Sequence, residues 1–470
     1  MFLLFFMVCT SFFKSSFSQE LFFIKKSDNL IPSHEIIILN SDEKEKLATL
    51  RSSRVIKNSM VGKANIQALK LKKIKIELPD GSIVDINREK DITYNPAGAI
   101  WLGKTQNGGE VIFSFTEKKF SGTIRENGKI YNIDSLSDNF QVIREIDSTK
   151  FPPEHPKEHP NGSMDGYKQP QIDISTPKQK SSVNRLNSTT SSTPVATISP
   201  NYAPINEIRI LIAYTPRSAA YLVNIGEKIN QAIALMNDSF DKSWVVGVHI
   251  SLAATMQISD EYSSAAKALT AFRNMADVKR LRDQSNADAM VLIASLSDNV
   301  CGLSAAIKAA PTDAFAVVAD YCFVDNYSMA HELGHLLGAL HDPVSDPSKL
   351  PYDWAHGYWI RLQNGVCAHT IMSNSVVEAN PSLKCNSDPR HNIWSNTNLV
   401  YQVGGSEIWL GASNKAQTNN LWSSYSSDFS KFHLTKISTP ATNQTTPPIT
   451  QSTFRKIISI INNILISDGL

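Results

Sequence analysis

Tyr327 to Asp342 reads Y-S-M-A-H-E-L-G-H-L-L-G-A-L-H-D, and it sets His331, Glu332, His335, Gly338, His341 and Asp342 in the pattern H-E-x-x-H-x-x-G-x-x-H-D. Met329, Leu333, Leu336 and Leu337 fall at helical spacing, which predicts a helix with a buried face. Positions i and i+4 share one face of a helix. His331 and His335 therefore project side by side, as two imidazoles must to hold one zinc ion. Glu332 is rotated off that face and can reach a water at the metal without displacing an imidazole. Gly338 can adopt the left-handed conformation that ends a helix and turns the chain, bringing His341 back as a third ligand. Three histidines leave the fourth position of a tetrahedral zinc open, which distinguishes a catalytic site from a closed structural one. A helix with three core or solvated histidines is the blander alternative, and it explains neither Gly338 nor Glu332. A metal site without catalysis would not call for Glu332.

The chemistry expected is hydrolysis at one catalytic Zn2+. Neutral His331, His335 and His341 hold the ion, which lowers the pKa of water toward ~7. Glu332 takes the proton of that water during attack on a scissile carbonyl and passes it to the leaving amine. The metal stabilises the tetrahedral oxyanion. Asp342 is expected to be a structural hydrogen-bonder, since the ligand set is complete without it.

His331 to Asp342 resembles the metzincin zinc endopeptidases, and the aspartate after the third histidine is similar to the adamalysin and reprolysin branch. Further stretches resemble the secreted peptidyl-Asp metallopeptidases: I-R-I-L-I-A-Y-T-P (Ile208 to Pro216), A-D-A-M-V-L-I (Ala287 to Ile293), C-G-L (Cys301 to Leu303), A-F-A-V-V-A (Ala314 to Ala319), A-H-G-Y (Ala355 to Tyr358) and W-S-N (Trp394 to Asn396). The resemblance covers residues 205 to 435. It implies an α/β (α+β) catalytic domain with a twisted, mainly parallel sheet, the zinc helix beneath it and a smaller irregular lower part. It also implies a methionine turn under the metal, for which Thr370-Ile371-Met372-Ser373 supplies Met372; an ordinary core methionine is the alternative. Some metzincins add a tyrosine two residues after that methionine; Asn374 stands there, so no tyrosine ligand is expected. The peptidyl-Asp resemblance implies cleavage before Asp, and an acidic side chain needs a cation in its pocket. Arg361 is the leading choice over His356, His369 and Lys384, although a solvent-exposed Arg361 is the plainer reading. The family's pocket motif does not match here residue by residue.

The 470 residues exceed one typical domain, and 42% apolar with 19% charged residues make globular material with polar inserts. A net charge of +2 gives no reason to expect nucleic acid. The excess of Lys and Arg over residues 41 to 80 reads as a solvated face. Residues 1–18 read as a signal peptide, too short to span a bilayer and ending in Ser16-Phe17-Ser18, so the protein is expected to be secreted. With Cys9 removed, Cys301, Cys322, Cys367 and Cys385 remain, an even number that suggests disulfides. Three pairings are possible, and sequence proximity favours Cys301 with Cys322 and Cys367 with Cys385.

Residues 19–150 alternate apolar and polar residues between turn signals such as Pro79-Asp80-Gly81 and Asn127-Gly128, and read as a mostly β prodomain; a binding module that stays attached is the alternative. Residues 151–204, rich in Pro, Ser and Thr, read as a flexible linker carrying the activation cleavage near Lys178, Lys180 or Arg185. No cysteine lies between residues 10 and 300, which excludes a cysteine block on the zinc. If the metal is blocked, His155 and His159 in E-H-P-K-E-H-P are visible candidates, against the plainer reading of a solvated Pro-rich linker.

From residue 207 the pattern alternates strand and helix, which implies crossover helices on a mainly parallel sheet. Helices are expected over Ala219 to Ser239 and Ala265 to Gln284, and a terminal helix over Leu421 to Phe432. Ala314 to Ala319 is expected to be the edge strand, where an extended peptide could add a strand. Residues 436–470 form a Thr/Pro-rich tail and a short amphipathic segment, with membrane contact not expected. The chain thus reads as a monomeric secreted precursor of a zinc endopeptidase acting on proteins or peptides. The alternative is a secreted zinc-binding adhesion or toxin-like module.

Overall fold

The structure is a computed structural model describing residues 19–20, 22–24, 38–64, 66–94, 98–115, 119–155, 205–385, 388–403 and 406–438. The expected signal segment, His159, the cleavage candidates Lys178, Lys180 and Arg185, and the tail beyond 438 lie outside the described residues.

The strands before residue 147 form one ten-stranded sheet. From Lys73–Glu77 to Gln141–Ile146 each strand pairs antiparallel with the next in sequence. Local turns permit this: Gly81 has φ 82, and Asn127 and Gly128 take φ 51 and 76, the left-handed pair that a two-residue hairpin requires. Trp101, Phe113 and Phe120 fill the interior edge to face, with ring centroids 4.7 and 4.9 Å apart.

This sheet docks on the helix Ile225–Lys242, where Ile100, Leu102 and Ile112 share a core with Ile229 and Met236. Asp134 is buried there between Arg144 at 2.5 Å and Lys228, a residue of the helix, at 2.9 Å. Burial opposes the charge on Asp134, but Lys228 and Arg144 outweigh it and hold its carboxyl below the usual range. Asp134→Asn removes the carboxylate in contact with both buried cations, leaving them only their attraction to Asp325, and is expected to cost about 3–5 kcal/mol in thermal or denaturant unfolding. The native pKa lies below the unfolded value near 3.8, so the stabilisation is complete above that value and fades as pH falls through the depressed one. The gap between wild type and variant should therefore shrink below pH ~4; a gap that is unchanged there contradicts the assignment.

The second unit begins at Asn206–Tyr214. Its five strands stand in the order Val248–Gln257, Asn206–Tyr214, Ala289–Ala294, Phe315–Ala319, Gly302–Ser304. The first four are parallel and the last is antiparallel. Ala289–Ala294 is buried at every position, as an apolar run covered on both faces must be. The expectation that Ala314 to Ala319 forms the edge is corrected: Phe315–Ala319 is interior, and Gly302–Ser304 lies outside it. Three residues beginning with glycine carry no period long enough to register as a strand.

The helix expected over Ala219 to Ser239 is two, Pro216–Leu222 and Ile225–Lys242, because Val223 takes φ 57 between them. That expected over Ala265 to Gln284 divides at Met275, whose ψ of 115° is extended and whose side chain packs on the core. Cys301 pairs with Cys322 and Cys367 with Cys385, the pairs that sequence proximity favours. The helix expected over Leu421 to Phe432 is Thr418–Phe429, begun earlier and ended sooner. Its Trp422 packs against Trp394 and Phe240, with centroids 5.0 and 4.9 Å away. No helix among the described residues is long and apolar enough to cross a membrane.

Candidate active site

The helix Ser328–Leu337 is buried at all ten positions between the sheet and the irregular lower part. Close packing beneath it depends on Gly334, where a Cβ would sit 2.4 Å from the Met372 sulfur. Met372 is fully buried in a turn closed by the Ser373 amide donating to the Thr370 carbonyl at 3.1 Å. At the other end Gly338 has φ 120, and its amide donates to the carbonyls of Gly334 and His335. The chain then reverses, with the Leu340 amide on the Ala355 carbonyl at 2.8 Å, and His341 faces the helix.

The Nε2 atoms of His331 and His335 are 3.0 Å apart, and each is 3.1 Å from Nε2 of His341. Nδ1 of His331 donates to the Ile371 carbonyl and Nδ1 of His335 to the Ala339 carbonyl, both at 2.8 Å. Those bonds put the ring protons on Nδ1, so the two Nε2 atoms face each other as lone pairs. No hydrogen bond can join them at 3.0 Å; a shared cation can. Tetrahedral coordination at 2.0–2.1 Å has edges of about 3.3 Å, close to these separations. The residues present thus fit a zinc ion.

A fourth imidazole completes the cluster. Nε2 of His155 lies 3.0 Å from that of His335, and nitrogens of His155, His331, His335 and His341 all lie within 4.8 Å of one another. The expectation of a solvated linker fails for residues 151–155: His155 is 9% exposed. The amides of Cys301 and Gly302 hold the segment by donating to the carbonyls of Pro153 and Glu154, at 2.9 and 3.0 Å.

Glu332 is fully buried. Its Oε2 accepts from the Ser304 hydroxyl, while Oε1 has no hydrogen-bond partner and lies 3.7 Å from His155 Nε2. Gly302 allows the edge strand to cross this carboxyl, because a Cβ there would sit 2.4 Å from Oε1. Burial, and then the nearby Glu154, push the Glu332 pKa well up, while burial and the neighbouring His335 push that of His331 well down.

Asp342 accepts from Trp359 Nε1 at 3.0 Å and from the amides of Val344, Ser345 and Asn374, tying the third histidine to the Met372 turn. Arg361 is distant in its contacts: its Nε donates to the Lys384 carbonyl, and it pairs across a hairpin with Cys367. The arginine at the site is Arg390, buried and ion-paired with Glu154. Sequence reading missed Arg390, Glu154, Gly302 and Ser304. Only the E-H of E-H-P-K-E-H-P offered a hint, through its histidine.

The family model described as Reprolysin_5, metallo-peptidase family M12, matches residues 205–388. A peptidyl-Asp metalloendopeptidase of Stenotrophomonas maltophilia (strain R551-3) is 31% identical over 337 residues, covering 69% of this chain and 72% of that protein. Another, from Xanthomonas campestris pv. campestris, is 31% identical over 288 residues, 60% of each chain. The crystal structure of metalloproteinase-II from Bacteroides fragilis matches with a TM-score of 0.35 and 12% identity over 63% of this chain and 85% of that one. The family match, the relatives and the histidine cluster together define a metalloendopeptidase. The chain belongs to the M12 metallopeptidases, whose members are zinc-dependent, alongside the peptidyl-Asp metalloendopeptidases.

Proposed function

We propose that the protein is a secreted zinc endopeptidase made as a latent precursor, with residues 19–150 as prodomain, 151–204 as the cleaved linker and 205–435 as the peptidase. His331, His335 and His341 hold the ion, Met372 lies beneath it, and Glu332 is the general base. The observation that carries this reading is the convergence of three Nε2 atoms beside a buried carboxylate oxygen without a partner. Bound zinc supplies Lewis-acid chemistry, acidifying water and polarising a scissile carbonyl. Ser304 holds one Glu332 oxygen and so aims the other at the attacking water. Glu332 takes the proton from that water and delivers it to the leaving amine.

Latency follows from His155. Its Nε2 stands within 3.7 Å of Glu332 Oε1, in the space that water and substrate need, and it offers a fourth nitrogen to the metal. Four imidazoles make a closed shell of the structural kind. Cleavage before Asp is the specificity the relatives' name suggests.

Limited proteolysis of the full chain between residues 156 and 204 is expected to release peptidase activity that a chelator abolishes and zinc restores. An activated protein that binds zinc and cleaves no peptide would favour the adhesion-module reading.

A further inference from the structure

We propose that Arg390 is the cation that receives the substrate's acidic side chain, and that Glu154 holds that place in the precursor. This rests on the endopeptidase reading above. Glu154 is 1% exposed and Arg390 6%, and the two form an ion pair. The Glu154 carboxylate also accepts from Asn326 Nδ2 and Ser328 Oγ, each at 2.9 Å. Arg390 is held from behind, donating from Nη1 to the Asn326 carbonyl at 2.9 Å and from Nη2 to the Ser373 carbonyl at 3.1 Å. The result is a pocket of three donors around one carboxylate.

The pocket adjoins the chemistry. An oxygen of Glu154, a nitrogen of His331 and an oxygen of Glu332 lie within 4.8 Å of one another. The residue that fills it comes from a segment held at the start of the edge strand by two backbone hydrogen bonds, from the Cys301 and Gly302 amides. Segment and strand advance in the same direction, Pro153 on Cys301 and Glu154 on Gly302.

Here Glu154 Oε2 and Arg390 Nε are buried and make no hydrogen bond, so the guanidinium keeps capacity for a differently placed carboxylate. The pair also spans the linker whose cleavage activates the enzyme. When residues 151–155 leave, a buried guanidinium remains without its counter-ion, which is costly. An acidic substrate side chain restores the pair, whereas an amide of the same shape does not. Selectivity of this kind arises because the wrong substrate leaves a buried polar group unpaired.

The test uses the full chain activated by limited proteolysis, as wild type, Arg390→Gln and Arg390→Lys. Peptides differ at a single residue, Asp, Glu or Asn. Wild type is expected to prefer Asp over Asn by about a hundredfold or more in kcat/KM. Arg390→Gln should collapse that ratio to below about tenfold, and Arg390→Lys should keep part of it. Equal losses on Asp and Asn peptides, or an unchanged ratio, would overturn the proposal. A second arm measures binding of the peptide spanning Phe151 to His155, and of its Glu154→Gln form, by calorimetry. The Gln form should bind at least about tenfold more weakly to wild type and equally to Arg390→Gln; equal binding of both forms to wild type would also overturn the proposal. Because this arm needs no turnover, a protein that binds as expected but cleaves nothing counts against the peptidase reading and not against Arg390.

Discussion

Glu332→Gln in the activated protein is expected to lower kcat on any susceptible peptide by about 10²–10⁴-fold, the usual contribution of a positioned general base. Zinc content should stay at one ion per chain, because the histidine nitrogens and their carbonyl partners at Ile371 and Ala339 are untouched. The substitution is a mild one for the fold. Glu332 is fully buried, its Oε2 is already satisfied by Ser304, and a glutamine carbonyl can accept the same bond. KM should change little, since the lost group acts on the water and not on the substrate's side chains. A variant that hydrolyses peptide at a normal rate would remove Glu332 from the mechanism. One that loses both zinc and activity would make its role structural.

His155→Ala in the uncleaved full chain is expected to raise peptidase activity at least about tenfold above the wild-type precursor, by returning an open coordination position. The gain should be partial, because Glu154 still anchors the segment through Arg390, Asn326 and Ser328. Glu154→Ala combined with His155→Ala should approach the activity of the cleaved protein. Cobalt substitution supplies a readout independent of turnover: the wild-type precursor should show a four-nitrogen tetrahedral spectrum that His155→Ala loses. A precursor as silent as before, with its spectrum unchanged, would mean that the prodomain covers the cleft without ligating the metal.

The two arginines illustrate how far sequence reading reaches. The sequence favours Arg361 for an acidic pocket, yet it pairs with Cys367 in a hairpin and its side chain donates to the Lys384 carbonyl. Arg390 follows the second disulfide loop, and nothing in its local sequence marks it as buried. Its functional character comes from Glu154, 236 residues earlier in the chain. His155 could be named as a candidate, but proline, charge and histidine together look like solvated linker until the Cys301 and Gly302 amides are seen to hold it.

By itself the sequence determined what depends on short-range geometry. Two histidines four apart on a helix must share a face, Gly338 can turn the chain, and apolar runs spaced by amphipathic helices must stack as a parallel sheet. The disulfide partners, close in sequence, belong to the same class. Tertiary structure alone decided which strand is the edge, which fourth imidazole meets the other three, and which arginine faces the site. Each of these joins segments whose separation leaves no periodic trace, and each exists because burial forces polar groups to find partners wherever the fold brings them.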